Sequence, residues 1–212
     1  MKRYSLAWLK RSFYWKSMKV LEGAIDILLT GHRLAKSVAN VPESTGTQAT
    51  HYLILRHVFS DIYHILKDDT FIDIGCGMGR VLAYLHRRYP NNQLSGIDLN
   101  ESSVEVARKW ASKRDNVRIM SGNALGIDYN SYTVLYLARP FPPAIFHKFI
   151  DHLEEHLTHS IQLIYLFDQE SGGYLRNRKG WTLLQREVFF KINGFQVASC
   201  PQGCSLWEYA PQ

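Results

Sequence analysis

The apolar positions of this chain change period repeatedly along its length. From His51 onward, Ile54, Leu55, Val58, Phe59, Ile62, Ile65 and Leu66 recur at three- and four-residue steps, which predicts a helix that delivers the chain to Lys67-Asp68-Asp69. Short runs rich in Ile, Leu, Val and Tyr then predict strands at 70–75, 94–99, 116–120, 132–138 and 161–167, with helices near 79–88, 101–113 and 143–157 between them. This alternation specifies an α/β fold with a doubly wound, mostly parallel sheet, because parallel neighbours need a crossover connection that places helices on both faces. The segment GFQVASCPQGCSLWEYA reads as two strands around a turn, an antiparallel hairpin at one edge. Residues 181–192, WTLLQREVFFKI, fit helix and strand alike.

The first 40 residues have a different character. Leu6, Trp8, Leu9, Phe13, Tyr14, Trp15, Met18, Leu21, Ile25, Ile27, Leu28 and Leu29 have helical spacing with a wide apolar face that something must cover. Helices packed on the domain or roofing its pocket are the first reading. A membrane-surface helix, a partner-binding helix and a homodimer interface are the alternatives. The stretch NVPESTGT at 40–47 carries the Pro, Ser and Gly of a linker, which divides the chain into a helical extension at 1–45 and a domain at 46–212.

Charge sharpens that division. Residues 1–36 hold eight Lys/Arg against Glu22 and Asp26, so they contain the whole formal charge of +6 and the remaining 176 residues sum to zero. Attraction to nucleic acid or to an acidic membrane surface therefore belongs to the extension. A hydrophobic content of 46% and a charged content of 21% exclude a disordered chain. No apolar run approaches the ~18 residues of a membrane span, and Lys10 and Arg11 interrupt any signal-peptide core, so the expected location is cytoplasmic. Three cysteines make no disulfide framework. His152-Leu-Glu-Glu-His156 fits a zinc pattern literally, but Leu153 is in phase with Ile145, Phe146, Phe149, Ile150 and Leu157, so the helix is read as packed with its histidines outward and no metal is expected.

The candidate chemistry lies in TFIDIGCGMGRV at 70–81. Glycine at 75, 77 and 79 lets the chain turn at the carboxyl end of the first strand, the crevice where open α/β sheets bind ligands, and lets a ligand approach backbone where a Cβ would collide. The glycines alternate as G-x-G-x-G, whereas a dinucleotide fold uses G-x-G-x-x-G to seat a pyrophosphate. Asp73, two residues before the first glycine, would repel a pyrophosphate and attract an ammonium or sulfonium group.

From Asp73 to Gly79 the sequence resembles the first motif of the class I methyltransferases that use S-adenosylmethionine, an acidic residue followed by x-G-x-G-x-G. The resemblance runs over residues 46–167. LSGID ends in Asp98, where that family places an acid on the ribose hydroxyls, and IMSGNAL resembles its third motif with Asn123 in place of the commoner Asp. It implies a Rossmann-like, seven-stranded sheet and S-adenosylmethionine as cofactor. The implied cofactor residues are Asp73, Gly75, Cys76, Gly77, Gly79, Asp98, Leu99, Asn123 and Ala124, with Leu125 also beside the purine.

The pattern breaks after the fourth strand. Many amino-methylating members have Asn/Asp-Pro-Pro-Tyr/Phe there, whose first residue accepts from the target nitrogen. This chain has Ala138-Arg139-Pro140-Phe141, and Arg is a donor without acceptor capacity. Arg139 either binds an acidic group of the acceptor or turns into a surface ion pair, Phe141 is expected to wall the pocket, and Tyr52 resembles an aromatic found just ahead of the glycine motif in some relatives, which assigns it to the acceptor side. Thr47, Thr50 and His51 are further candidates to close over the pocket. The function implied is methyl transfer to an unidentified, acidic or anionic acceptor, a small molecule or a protein side chain. A non-catalytic cofactor-binding protein and a nucleic-acid- or membrane-associated methyltransferase are the alternatives.

Overall fold

The computed structural model describes residues 6–35, 49–169 and 171–212. The expected linker at 40–47 and the boundary at residue 45 lie outside them. Helix α1 (Leu6–Thr30) is followed by α2 (Tyr52–His57), which widens into a π-helical turn at Val58–Ile62. The chain then alternates through β1 (Thr70–Ile74), α3 (Arg80–Arg88), β2 (Gln93–Asp98), α4 (Glu101–Ala111), β3 (Val117–Ser121), β4 (Val134–Ala138), α5 (Pro143–His156) and β5 (Ile161–Leu166). It ends in β6 (Trp181–Phe189), β7 (Lys191–Ile192), β8 (Phe195–Gln196) and β9 (Gln202–Tyr209).

The main sheet has seven strands in the order β3-β2-β1-β4-β5-β9-β6. The first five are parallel neighbours, and β9 runs antiparallel between β5 and β6. Sheet order reverses between β1 and β4, so the carboxyl ends of β1, β2 and β4 surround the crevice that such a reversal opens.

Central strands buried on both faces need apolar side chains at nearly every position, and β1 and β4 have them apart from Asp73. Phe71, Val134 and Tyr136 pack with Phe59 and Leu82 under α2 and α3, while Ile72, Ile74, Leu135 and Leu137 pack with Phe146, Phe149 and Ile150 under α5. Asp73 interrupts this run on the α2–α3 side. Asn100 caps α4 by accepting from the Ser103 N–H, and Pro143 starts α5, where a missing N–H costs nothing.

The terminal hairpin differs in one respect from the expectation. Its long strands are 181–189 and 202–209, and residues 195–196 instead pair with 191–192 in a separate small ribbon. Residues 181–192 are thus strand. They lie on the sheet edge with an exposed face, which mixes apolar and polar positions and hides the period of two. Asp168, buried after β5, receives Arg186 Nε and Nη2 at 2.8 and 2.9 Å and ties β6 to the sheet.

Candidate cofactor pocket

The glycine segment leaves β1 and is folded back against β2 by two donors to one acceptor: the N–H groups of Gly75 and Cys76 both reach the Ile97 carbonyl, at 2.9 and 3.0 Å. Gly75, Gly77 and Gly79 all have positive φ, the region that side chains rarely enter. At two of them space is refused as well. A Cβ on Gly75 would lie 2.5 Å from Cβ of Pro140, and one on Gly79 would lie 2.7 Å from Cζ2 of Trp110. Trp110, buried on α4, donates Nε1–H to the Met78 carbonyl at 2.9 Å and so clamps the loop from behind.

Asp98 closes the loop from the side of β2. Its Oδ2 accepts from the Gly77 N–H at 2.7 Å and its Oδ1 from the Asn100 N–H at 2.8 Å. A carboxylate has about four lone-pair sites, so each oxygen retains capacity for a ligand hydroxyl. Asp73 is only 2% exposed, and its Oδ2 has no hydrogen-bond partner among the described residues. Burial first, and the charge of Asp98 second, hold its carboxyl well above the usual range. A buried carboxylate oxygen without a partner costs free energy until a donor or cation reaches it. The same burial, with Asp73 and Asp98 adding to it, pushes the Cys76 thiol up, so Cys76 is a neutral wall and not a nucleophile.

Asp73, Gly75, Cys76, Gly77, Asp98, Leu99 and Ala124 line one pocket together with Arg139, Pro140 and Phe141. Arg139 has φ +48 at the end of β4 and is half-buried, and Phe141 is 7% exposed against Phe149. Four expected residues do not line this pocket. Asn123 is exposed and turns its carbonyl oxygen onto the Leu125 N–H, a local turn that leaves Gly122 and Ala124 to face the pocket. Leu125 packs toward the α5 core. Tyr52 points to α1, where its hydroxyl donates to Asp26 Oδ1 at 2.7 Å, and it is not part of the pocket wall. Gly79 lies at the head of α3 behind the wall. Of the closing candidates, Thr50 lines the pocket, His51 Nδ1 lies 2.8 Å from Glu22 Oε1, and Thr47 is outside the described residues.

The motif reading missed the group that joins α1 to this pocket. Arg80, 3% exposed and directly after Gly79, donates from Nε and Nη2 to Asp26 at 2.9 and 2.7 Å, and from Nη1 to Glu22 at 3.1 Å and to the Thr50 carbonyl at 3.2 Å. Asp26 Oδ2 also accepts from the Leu34 N–H, and Glu22 Oε1 from the Tyr52 N–H. Leu34, Thr50 and Arg80 all line the pocket, so the two acids of α1 set part of its wall. Burial lowers the pKa of Arg80, but the hydrogen bonds and charge of Asp26 outweigh it and the net direction is up, so the guanidinium stays charged. The signal was visible as the only acids in a basic segment, spaced i, i+4 on one helical face.

His152 and His156 do not converge on an ion. His152 Nε2 donates to the Ile127 carbonyl and His156 Nδ1 to that of His152. No group of three His, Cys, Asp or Glu side chains suited to a metal occurs among the described residues.

Comparison with known proteins agrees with this arrangement. Residues 71–159 match the family model described as a methyltransferase domain. A ribosomal RNA small subunit methyltransferase A from Hydrogenobaculum is 21% identical over 142 residues, 66% of this chain and 55% of that protein. The chain thus spans about half the length of that curated relative. A methyltransferase from Pyrococcus furiosus superposes with TM-score 0.60 at 16% identity, covering 93% of this chain and 98% of that one. An RNA methyltransferase from Salinibacter ruber in complex with S-adenosyl-L-homocysteine superposes with TM-score 0.56 at 18% identity, covering 77% and 94%. With its motifs in order, its glycine loop between β1 and α3 and residues 71–159 matching a methyltransferase domain, the chain has the Rossmann-like methyltransferase fold.

Proposed function

We propose that the chain is an active enzyme that moves the methyl group of S-adenosylmethionine to an acceptor bearing an acidic group. The observation that carries the reading is the pair of carboxylates around the glycine loop, one of them buried with an oxygen that has no partner. The residues present fit the cofactor. Asp73 would meet its cationic amino-acid end, Asp98 its two ribose hydroxyls, and Leu99 and Ala124 its purine. When bound, the cofactor supplies a methyl already activated by the sulfonium.

The protein's part is then placement and exclusion of water. Phe141 and Pro140 form an apolar wall beside the loop, and Thr50 and Leu34 cover the opposite side. Arg139, held at the rim by the turn that ends β4, supplies a planar donor for a carboxylate or phosphate. It supports an anionic acceptor, and an amine held through an acceptor side chain at this position is not supported.

Calorimetric titration with S-adenosylmethionine and S-adenosylhomocysteine, followed by transfer assays on carboxylate, amine, hydroxyl and RNA acceptors, tests the reading. Saturable binding that Asp98→Ala weakens by about 10-fold or more, some 1.4 kcal/mol, together with turnover on an acidic acceptor that Arg139→Gln impairs, is expected. Binding without transfer to any acceptor would leave a cofactor-binding protein, and no binding by folded protein would remove the enzyme reading.

A further inference from the structure

Helix α1 is held to the domain by its two acids, and its opposite half is apolar. With 100° per residue, Glu22 and Asp26 face Arg80, while Phe13, Val20, Leu21, Ile27 and Leu28 fall on the far side of the cylinder. These five side chains are 74, 68, 55, 48 and 84% exposed. Scattered exposed apolar residues need no explanation, but five on one face of one helix mark an interaction surface.

Cations border this face on both sides. Lys16 is exposed at one edge, and Lys19, closer to Asp26 around the helix, is exposed beyond it. On the other, a cleft of about 570 Å³ separates α1 from α2 and α3, with Arg56, Arg87 and Arg88 at its border. None of these three arginines makes an ion pair among the described residues. Glu22, the one carboxylate lining the cleft, is already engaged by Arg80, His51 and the Tyr52 N–H. Among the described residues the patch is therefore apolar at its centre, cationic at its edges and free of uncompensated negative charge.

We propose that this face docks on a lipid bilayer containing anionic headgroups, with α1 lying in the plane of the interface. A bilayer offers acyl chains for Val20, Leu21, Ile27 and Leu28 and phosphates for the lysines and arginines, which is the complement of the patch. A symmetric contact with a second copy would set these cations against their own like charges. Nucleic acid would satisfy the cations and leave the apolar centre in water. No helix among the described residues is long and apolar enough to cross a membrane, so the proposal concerns attachment along the surface.

Co-sedimentation with vesicles tests this without reference to methyl transfer. Binding is expected to vesicles containing phosphatidylglycerol, to weaken on pure phosphatidylcholine, and to fall as salt rises. Because Phe13 and Leu28 are the most exposed residues of the patch, Phe13→Glu with Leu28→Glu should leave thermal melting unchanged. The same pair should lower vesicle binding at least ~10-fold by placing two anions at the interface. The proposal is overturned by absence of vesicle binding at low salt, by vesicle binding that survives the double variant, or by a solution dimer that the double variant dissociates.

Discussion

At the scale of single residues, Asp73 sets the most specific expectation. Its carboxyl is held above the ordinary value of about 3.9 by burial and by Asp98, so the folded protein keeps a proton that the unfolded chain has released. Asp73 therefore weakens the fold as pH rises from that ordinary value through the raised one. A bound ammonium reverses the preference, because it stabilises the carboxylate. Cofactor binding should release a proton, and affinity should increase with pH across the same window. Calorimetry in two buffers of different ionisation enthalpy reads the proton count, and Asp73→Asn should lower both affinity and proton release. Equal proton release by the variant would place the titrating group elsewhere. Gly79 gives a second test. Alanine there must adopt a left-handed conformation, at about 1–2 kcal/mol, and must also push into Trp110. Gly79→Ala should therefore lose at least ~1–2 kcal/mol of unfolding stability, read by urea denaturation. The loss should exceed that of an alanine at Gly126, whose surroundings are open.

At the scale of elements, the fastening of α1 determines how much of the extension belongs to the site. Removing Asp26 leaves the Arg80 guanidinium buried and short of its main partner, a defect that costs about 3–5 kcal/mol in comparable pairs. Urea unfolding of Asp26→Ala should show a loss of that order. Combined with Arg80→Met it should lose clearly less than the sum, because the second change removes the stranded charge. Additive losses would mean that the two residues do not act as a pair. These same elements show what the sequence carried and what it hid. The strands from β1 to β5 and the helices between them were legible because each is buried on a fixed face and keeps its period. Asp73, Asp98 and the alternating glycines were legible because their chemistry is local. The fastening was hidden because Glu22, Asp26 and Arg80 are far apart in sequence and meet only when α1 crosses α3. The contact of Tyr52 was hidden for the same reason, since its partner Asp26 lies 26 residues upstream. The local turn at Asn123, whose amide oxygen accepts from the Leu125 N–H, was hidden as well, because the same side chain could serve a ligand or the backbone.

For the whole molecule, the pocket wall joins segments distant in sequence, so occupancy should stabilise them together. Asp98 ties β2 to the glycine loop, Arg80 ties that loop's helix to α1, and Leu34 and Thr50 reach the pocket from either side of the segment between α1 and α2. A ligand that binds only the folded state at 100 times its dissociation constant adds about 2.7 kcal/mol. In a domain of this size each kcal/mol moves the melting temperature by roughly 2–4 °C, so saturating S-adenosylhomocysteine should raise it by about 5–11 °C. Hydrogen exchange distinguishes the routes by which this stabilisation spreads. If Arg80 couples the pocket to the extension, ligand should slow exchange in α1 as well as in the glycine loop, while β6, tied to the far edge through Asp168 and Arg186, changes little. In Asp26→Ala the loop should still be protected and α1 should not. Protection of α1 that persists in that variant would show that the helix is held to the pocket by its apolar contacts, and that Glu22 and Asp26 position Arg80 alone.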